Sequence, residues 1–225
     1  MPSVRTAMTD RVYDLLRAQI IDIELIPGAR LHIESLSEQF DVSPTPIREA
    51  LNRLAAERIV TQEPYRGFRV SDLLSGAELT QLLRVRELIE SAAVEQTART
   101  RTDDVLQKLN VLVERMDAIV FADEFDIKAF NAADAEFHRL TVSASGNRFL
   151  LEALEALHVH VQIARLYHSR SSTESRRSNK DHKRLLESIE RGDSEDACNQ
   201  VRIHIGHVLS HFELSISDGQ IEAVA

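Results

Sequence analysis

Tryptophan is absent from this 225-residue chain, and phenylalanine and tyrosine occur only 8 and 3 times. A core large enough for one large or two smaller domains must therefore be built mainly from Leu, Ile, Val and Ala. Cysteine occurs once, as Cys198. That excludes an internal disulfide framework and suits a reducing cytoplasm, with Cys198 read as a small apolar side chain on a helix. No apolar run approaches the length of a membrane span. The N-terminus carries no basic region leading into an apolar stretch and a small-residue cleavage site, so no secretory signal is expected. Positive charge is also scarce. The formal net charge is −9, which argues against a non-specific nucleic-acid coat protein.

Proline is unevenly placed. Pro27, Pro44, Pro46 and Pro64 all precede residue 65, and none follows it. Long helical periodicity takes over there, so the chain is expected to divide into residues 1–72 and an all-helical 73–225. In the first part, Val12, Leu15, Leu16 and Ile20 are at helical spacing with Thr9 as a possible N-cap. "IPGARL" ends that helix in a turn. "ESLSEQF" reads as a short helix, "DVS" as a tight connection and "PTPIREALNRLAAERI" as a second helix. Ser43 caps the latter, Pro44 occupies its first position, and Ile47, Leu51 and Leu54 form its apolar stripe. "VTQEPYRGFRV" reads as two strands joined at "PYRG". The order is that of a winged helix-turn-helix.

The second part opens on a Ser-x-x-Glu capping box, Ser75 and Glu78. Helices are expected over about 76–99, 103–121, 124–144, 147–168, 173–191 and 194–216, with Gly192, Asp193 and Ser194 ending one and capping the next. Short links between six helices imply an antiparallel bundle. The fold class is thus mainly α, an N-terminal winged helix-turn-helix followed by a bundle of about six helices.

A helix entering a major groove presents its N-terminal residues to bases and backbone. Ser43 and Thr45 offer hydroxyls to phosphate, and Arg48, a turn further on, reaches a guanine edge or a phosphate. Arg66 and Gly67 at the wing tip suit a flanking minor groove. The bland alternative is a helical hairpin with solvated arginines. "PGARL", "LSEQFDVSPTPIREALNRL" and "RGFRV" closely resemble the winged-helix domain of GntR-type bacterial transcription regulators, over about residues 8–72. The resemblance implies a dimer on a palindromic operator, with Ser43, Thr45, Arg48, Arg66 and Gly67 at the contact positions. Departures are Pro44 and Glu34, where many members have arginine, and Arg58, where a glycine is usual. With two cations fewer, operator binding is expected to be weak or unusually salt-sensitive.

Eight of the nine histidines lie between residues 138 and 211. In "DAEFH", Asp134 and His138 stand at i and i+4 and share a helix face. They are either a polar pair on a solvated edge or two ligands for a borderline divalent ion such as Zn²⁺. A bundle completes such a site from facing helices, with His182 and one of His204, His207 or His211 as candidates. Periodicity does not choose among the last three. "LLRVRELIESAA", "DAEFHRL", "SGNRFL", "DHKRLLESIERGDSEDA" and "VRIHIGHV" resemble the all-helical FCD effector domain that defines the FadR subgroup. In metal-binding members the ligand positions correspond here to Asp134, His138, His182 and His204. His207 and His211 are then neighbours, and His158, His160 and His168 are left as structural. The family's pocket arginine corresponds to Arg86, suited to a bidentate carboxylate pair. Its alternative is an i,i+4 surface pair with Glu90.

These expectations lead to a cytoplasmic, homodimeric, DNA-binding regulator, not an enzyme, controlled by a small organic acid at a divalent metal, Zn²⁺ foremost with Ni²⁺ or Mn²⁺ tolerated. Two alternatives stay open. One is a metal-responsive regulator. The other is a metal-dependent hydrolase, for which no convincing extra general base is evident.

Overall fold

A computed structural model describes the backbone of residues 4–168 and 172–217 and the side chains within 7–166 and 172–214. Two compact units divide between Leu73 and Leu74. In the first, α1 (Val4–Ile21) buries Val12, Leu16 and Ile20 against α3 (Pro44–Ala56), whose stripe of Ile47, Leu51 and Leu54 is fully buried. The apolar periodicity thus becomes a two-helix interface, closed by α2 (Ile33–Phe40). Thr9 does not cap α1. The helix begins earlier, at Val4, and the Thr9 hydroxyl instead donates to Glu49 Oε2 at 2.9 Å. Ser43 is the N-cap of α3 by backbone geometry but makes no side-chain cap bond, and Pro44 occupies the first turn. The helix stops at Ala56 rather than continuing to Ile59, because Arg58 turns into left-handed backbone at φ 61.

The wing is β2 (Val60–Glu63) and β3 (Gly67–Val70), paired antiparallel from Val60↔Val70 to Glu63↔Gly67. Arg66 N–H donates to Glu63 O at 3.1 Å, which closes a β-turn with Pro64 and Tyr65 at its centre. A further strand, β1 (Arg30–Leu31), adds to the other edge of β3, so the sheet order is β1-β3-β2.

The second unit comprises α4 (Gly76–Thr100), α5 (Asp103–Val120), α6 (Ile127–Ser143), α7 (Arg148–His168), α8 (Ser172–Arg191) and α9 (Ser194–Ser217). The Ser75–Glu78 capping box starts α4. Asp126 caps α6 through Ala129 N–H, so the helix begins at Ile127, three residues later than the expected start at 124. Gly192, at φ 71, ends α8 against the Arg101 guanidinium, where a Cβ would collide, and Asp193 caps α9. Helix α4 packs on α6, α7, α8 and α9. Its Leu79, Leu83 and Val94 share one apolar core with Phe130, Phe137, Leu185, Ile189, Val201 and Ile205. Cys198 is partly buried on α9 and donates to Ser91 O at 3.3 Å. No helix among the described residues is long and apolar enough to cross a membrane.

Candidate functional site

Five helices bring polar side chains into the interior of this bundle. Asp134 and His138 lie one turn apart on α6, His182 comes from α8 and His204 from α9, and each is at most 1 % exposed. One nitrogen from each of the three imidazoles falls within a 4.8 Å cluster. His138 Nε2 and His182 Nε2 approach to 3.2 Å. The Asp134 carboxylate stands beside them, with Oδ1 3.4 Å from His182 Nε2 and Oδ2 3.8 Å from His138 Nε2. Among the described residues no hydrogen bond satisfies either nitrogen of His204, and the Asp134 carboxylate is met by a single cation, Arg165. Buried groups of this kind are nearly always paired. Three imidazoles and a carboxylate facing one another fit a borderline divalent cation.

The surrounding charges set the protonation states. Burial holds His138 well below the usual imidazole range, aided by the Arg86 guanidinium. Burial likewise pushes His182 down to about 3, with His204 adding to it. These rings are neutral near pH 7, the form in which imidazole is a metal ligand. Burial alone would raise the Asp134 carboxyl, but Arg165, then His138, His182 and Arg86, hold it well below the ordinary value. Arg165 Nη1 lies 2.6 Å from Asp134 Oδ2. His138 is oriented from behind, with its Nδ1 2.8 Å from Glu90 Oε2, while Glu90 Oε1 accepts from Arg86 Nε. This arrangement directs His138 Nε2 towards the cluster.

Arg86 and Glu90 therefore do pair at i,i+4, but in the interior and not at the surface: Arg86 is 0 % exposed. Its Nη1 and Nη2 have no hydrogen-bond partner among the described residues. His207 and His211 stay outside the cluster. His207 Nδ1 bonds Asp181 Oδ2 at 2.7 Å, and His211 faces Glu174 at 3.8 Å. His158 is buried beside His138, at 5.9 Å between ring centroids, and His160 is half-buried. The His168 side chain lies outside the described residues. A cavity of about 40 Å³ reaches the cluster at His204, lined also by Asn131, Arg165 and Asp181 with the apolar Phe130 and Phe212.

In the first unit Ser43, Thr45 and Arg48 are all exposed at the start of α3, and Arg66 and Gly67 at the tip of the wing. Other arginines there are neutralised: Arg53 by Asp10, Arg17 by Glu57, and Arg69 by Glu63 and Asp72. Arg48 and Arg66 have no ion-pair partner among the described residues, so positive charge is left unneutralised at the helix start and the wing tip. Gly67, at φ 83 with nothing near its absent Cβ, leaves the wing backbone open to close approach.

Residues 8–70 match the family described as bacterial regulatory proteins, gntR family, and residues 81–207, more than half the chain, match the FCD domain. The chain belongs to the gntR family, in its FCD-domain form. This regulator is 24% identical over 208 residues to the HTH-type transcriptional regulator YdhC of Bacillus subtilis, covering 92% of each chain. It is 28% identical over 187 residues to the Nta operon transcriptional regulator of Aminobacter aminovorans, covering 83% of this chain and 84% of that one. Among solved structures it matches E. coli McbR/YncC with a TM-score of 0.81 at 25% identity, over 96% of this chain and 100% of that one. The metal-free FCD domain of TM0439 shares the fold, with a TM-score of 0.54 at 20% identity over 64% of this chain and 98% of that one. The regulator is thus a DNA-binding transcription factor, its first unit the reading head.

Three polar residues of the regulator's interior escape pattern reading. Arg165 in "QIARLY" and Asn131 in "FNAAD" are single polar residues in apolar-rich helices, and Asp181 looks like one more charge in a polar run. A polar residue at a core-facing helical position was the available signal for the first two.

Proposed function

We propose that operator binding by this regulator is controlled by a small carboxylate metabolite bound at a divalent metal ion held by Asp134, His138, His182 and His204. The observation that carries this reading is the convergence of three buried imidazoles on a buried, ionised carboxylate, with neither nitrogen of His204 hydrogen-bonded among the described residues. When bound, the ion supplies open coordination positions for a carboxylate oxygen. Asp134, already ionised, provides the negative charge, and Glu90 holds His138 in the ligating orientation. Arg86, with two unpartnered amino groups within electrostatic reach of His138 and Asp134, would receive the effector's carboxylate, and Arg165 would share it. In the reading head, Ser43, Thr45 and Arg48 would contact the major groove and Arg66 and Gly67 the minor groove of a palindromic site.

A palindrome requires two heads, and a homodimer is part of the proposal. Phe149 at the start of α7 is 65% exposed and lines a shallow groove with Ala92 and Leu150, and Leu88, one turn before Ala92 on α4, is 71% exposed. Apolar exposure of this kind suits a second copy of the chain. The effector acts only by binding DNA-competent and DNA-incompetent states unequally.

Measuring operator affinity of the Zn²⁺-loaded protein with and without small organic acids tests the proposal. Loss of control by every acid that binds the effector domain would sink it. A second reading, in which the ion is itself the signal, shares the same site. It predicts that chelated and loaded protein bind operator differently with no acid present. A hydrolase reading draws no support from a site coupled to a gntR-type reading head.

A further inference from the structure

Asn131 sits on α6 one helical turn before Asp134, and it is only 4% exposed. It lines the same cavity as Arg165, Asp181 and His204. Neither its Nδ2 nor its Oδ1 has a hydrogen-bond partner among the described residues. Of the other polar groups of that cavity, Asp181 bonds His207, Arg165 faces Asp134, His204 is assigned to the ion, and the Ser178 hydroxyl is unpartnered like the amide. A buried amide with both ends unmade is costly, and apolar residues fill such helix positions more cheaply. Asn131 is therefore shaped for something that enters the cavity.

An amide offers a donor and an acceptor side by side. A carboxylate is acceptor-only, so it satisfies Nδ2 and leaves Oδ1 unpaired. A hydroxyl group accepts from Nδ2 and donates to Oδ1. We infer that Asn131 makes the site selective for small hydroxy-carboxylates, the amide holding the ligand's hydroxyl while its carboxylate is held as proposed above. The inference rests on that carboxylate reading. The cavity, about 40 Å³, is worth about three water-sized volumes. That limits the part of the ligand lodged there to a few heavy atoms. Leaving Oδ1 unpaired should weaken an acid that lacks the hydroxyl by between about 5- and 150-fold.

Calorimetric titration of the Zn²⁺-loaded protein with glycolate and with acetate tests this, in wild type and in Asn131→Leu. The wild type should bind glycolate more tightly by the factor above. The leucine variant should lose that preference while retaining Zn²⁺ and its affinity for acetate. Equal affinity for the two acids in the wild type overturns the inference and leaves the carboxylate reading standing. A preference that survives in Asn131→Leu also overturns it, since chelation by the metal would then account for the hydroxyl. Failure of both acids to bind sinks the carboxylate reading, and this inference with it.

Discussion

Replacing Glu90 by glutamine should damage the effector domain in two separable ways. Glu90 is 3% exposed and spans two partners, Arg86 through Oε1 and His138 through Oε2. Glutamine keeps the shape and removes the charge. Arg86 is then a buried cation whose Nη1 and Nη2 already lack hydrogen bonds. Breaking one side of a buried ion pair costs about 3–5 kcal/mol. One hydrogen bond from the retained amide oxygen returns about 1–2 kcal/mol. The net loss is about 1–4 kcal/mol, and for a domain of this size about 2–16 °C in melting temperature. His138 also loses the carboxylate that fixes its tautomer, and weakening of that kind costs about 10- to 100-fold in metal affinity. Calorimetric melting of chelated protein reads the first effect. Competition for Zn²⁺ with a chromophoric chelator reads the second. Unchanged melting refutes the buried-pair energetics. A lowered melting temperature with unchanged Zn²⁺ affinity refutes the role given to Glu90 in orienting His138.

Burial holds His158 and His182 down to about 3, against about 6.5 when unfolded. Between those values the unfolded chain binds more protons, so stability falls as pH drops below about 6.5, by about 1 kcal/mol per histidine per pH unit. Melting of chelated protein at pH 7.5 and pH 5.5 should show a steep loss, and equal melting temperatures would contradict it. Arg58 occupies left-handed backbone at φ 61 and is exposed. Arg58→Gly removes about 1–2 kcal/mol of strain against roughly 0.5–1 kcal/mol of added chain entropy, so urea titration should show a small gain in stability. Pro44 is exposed at the first turn of α3. Fewer phosphate contacts release fewer counterions, so the wild type should bind weakly with a shallow, not an unusually steep, salt dependence. Pro44→Arg adds a cation at that turn, and the slope of log affinity for operator against log salt should steepen by about 0.9, with tighter binding at low salt. An unchanged slope would place residue 44 away from phosphate.

Local features were legible from sequence because their partners lie within a turn or two. The Ser75–Glu78 capping box, the Gly192–Asp193 junction and the α3 stripe of Ile47, Leu51 and Leu54 are of this kind. Strand β1 was not, since Arg30 and Leu31 become a strand only by pairing with Arg69 and Phe68. Thr9 misleads for the same reason: its hydroxyl bonds Glu49 in another helix, 40 residues away. At the site, the i,i+4 spacing of Asp134 with His138 and of Arg86 with Glu90 was visible, but the burial of the second pair was not. Three histidines share one face of α9, and periodicity treats them alike. Only the packing of α8 against α9 separates His204, in the cluster, from His207, bonded to Asp181. Arg165 and Asn131 gain meaning only from the cavity that the folded helices enclose.

The central claim is that Asp134, His138, His182 and His204 hold one divalent ion. Elemental analysis of the purified protein after exposure to Zn²⁺ and exhaustive dialysis tests it most directly, comparing wild type with His182→Ala and checking by circular dichroism that both are helical. The account predicts one equivalent per chain in the wild type and little or none in the variant. A wild type that retains no metal, or a variant that retains as much, would contradict it.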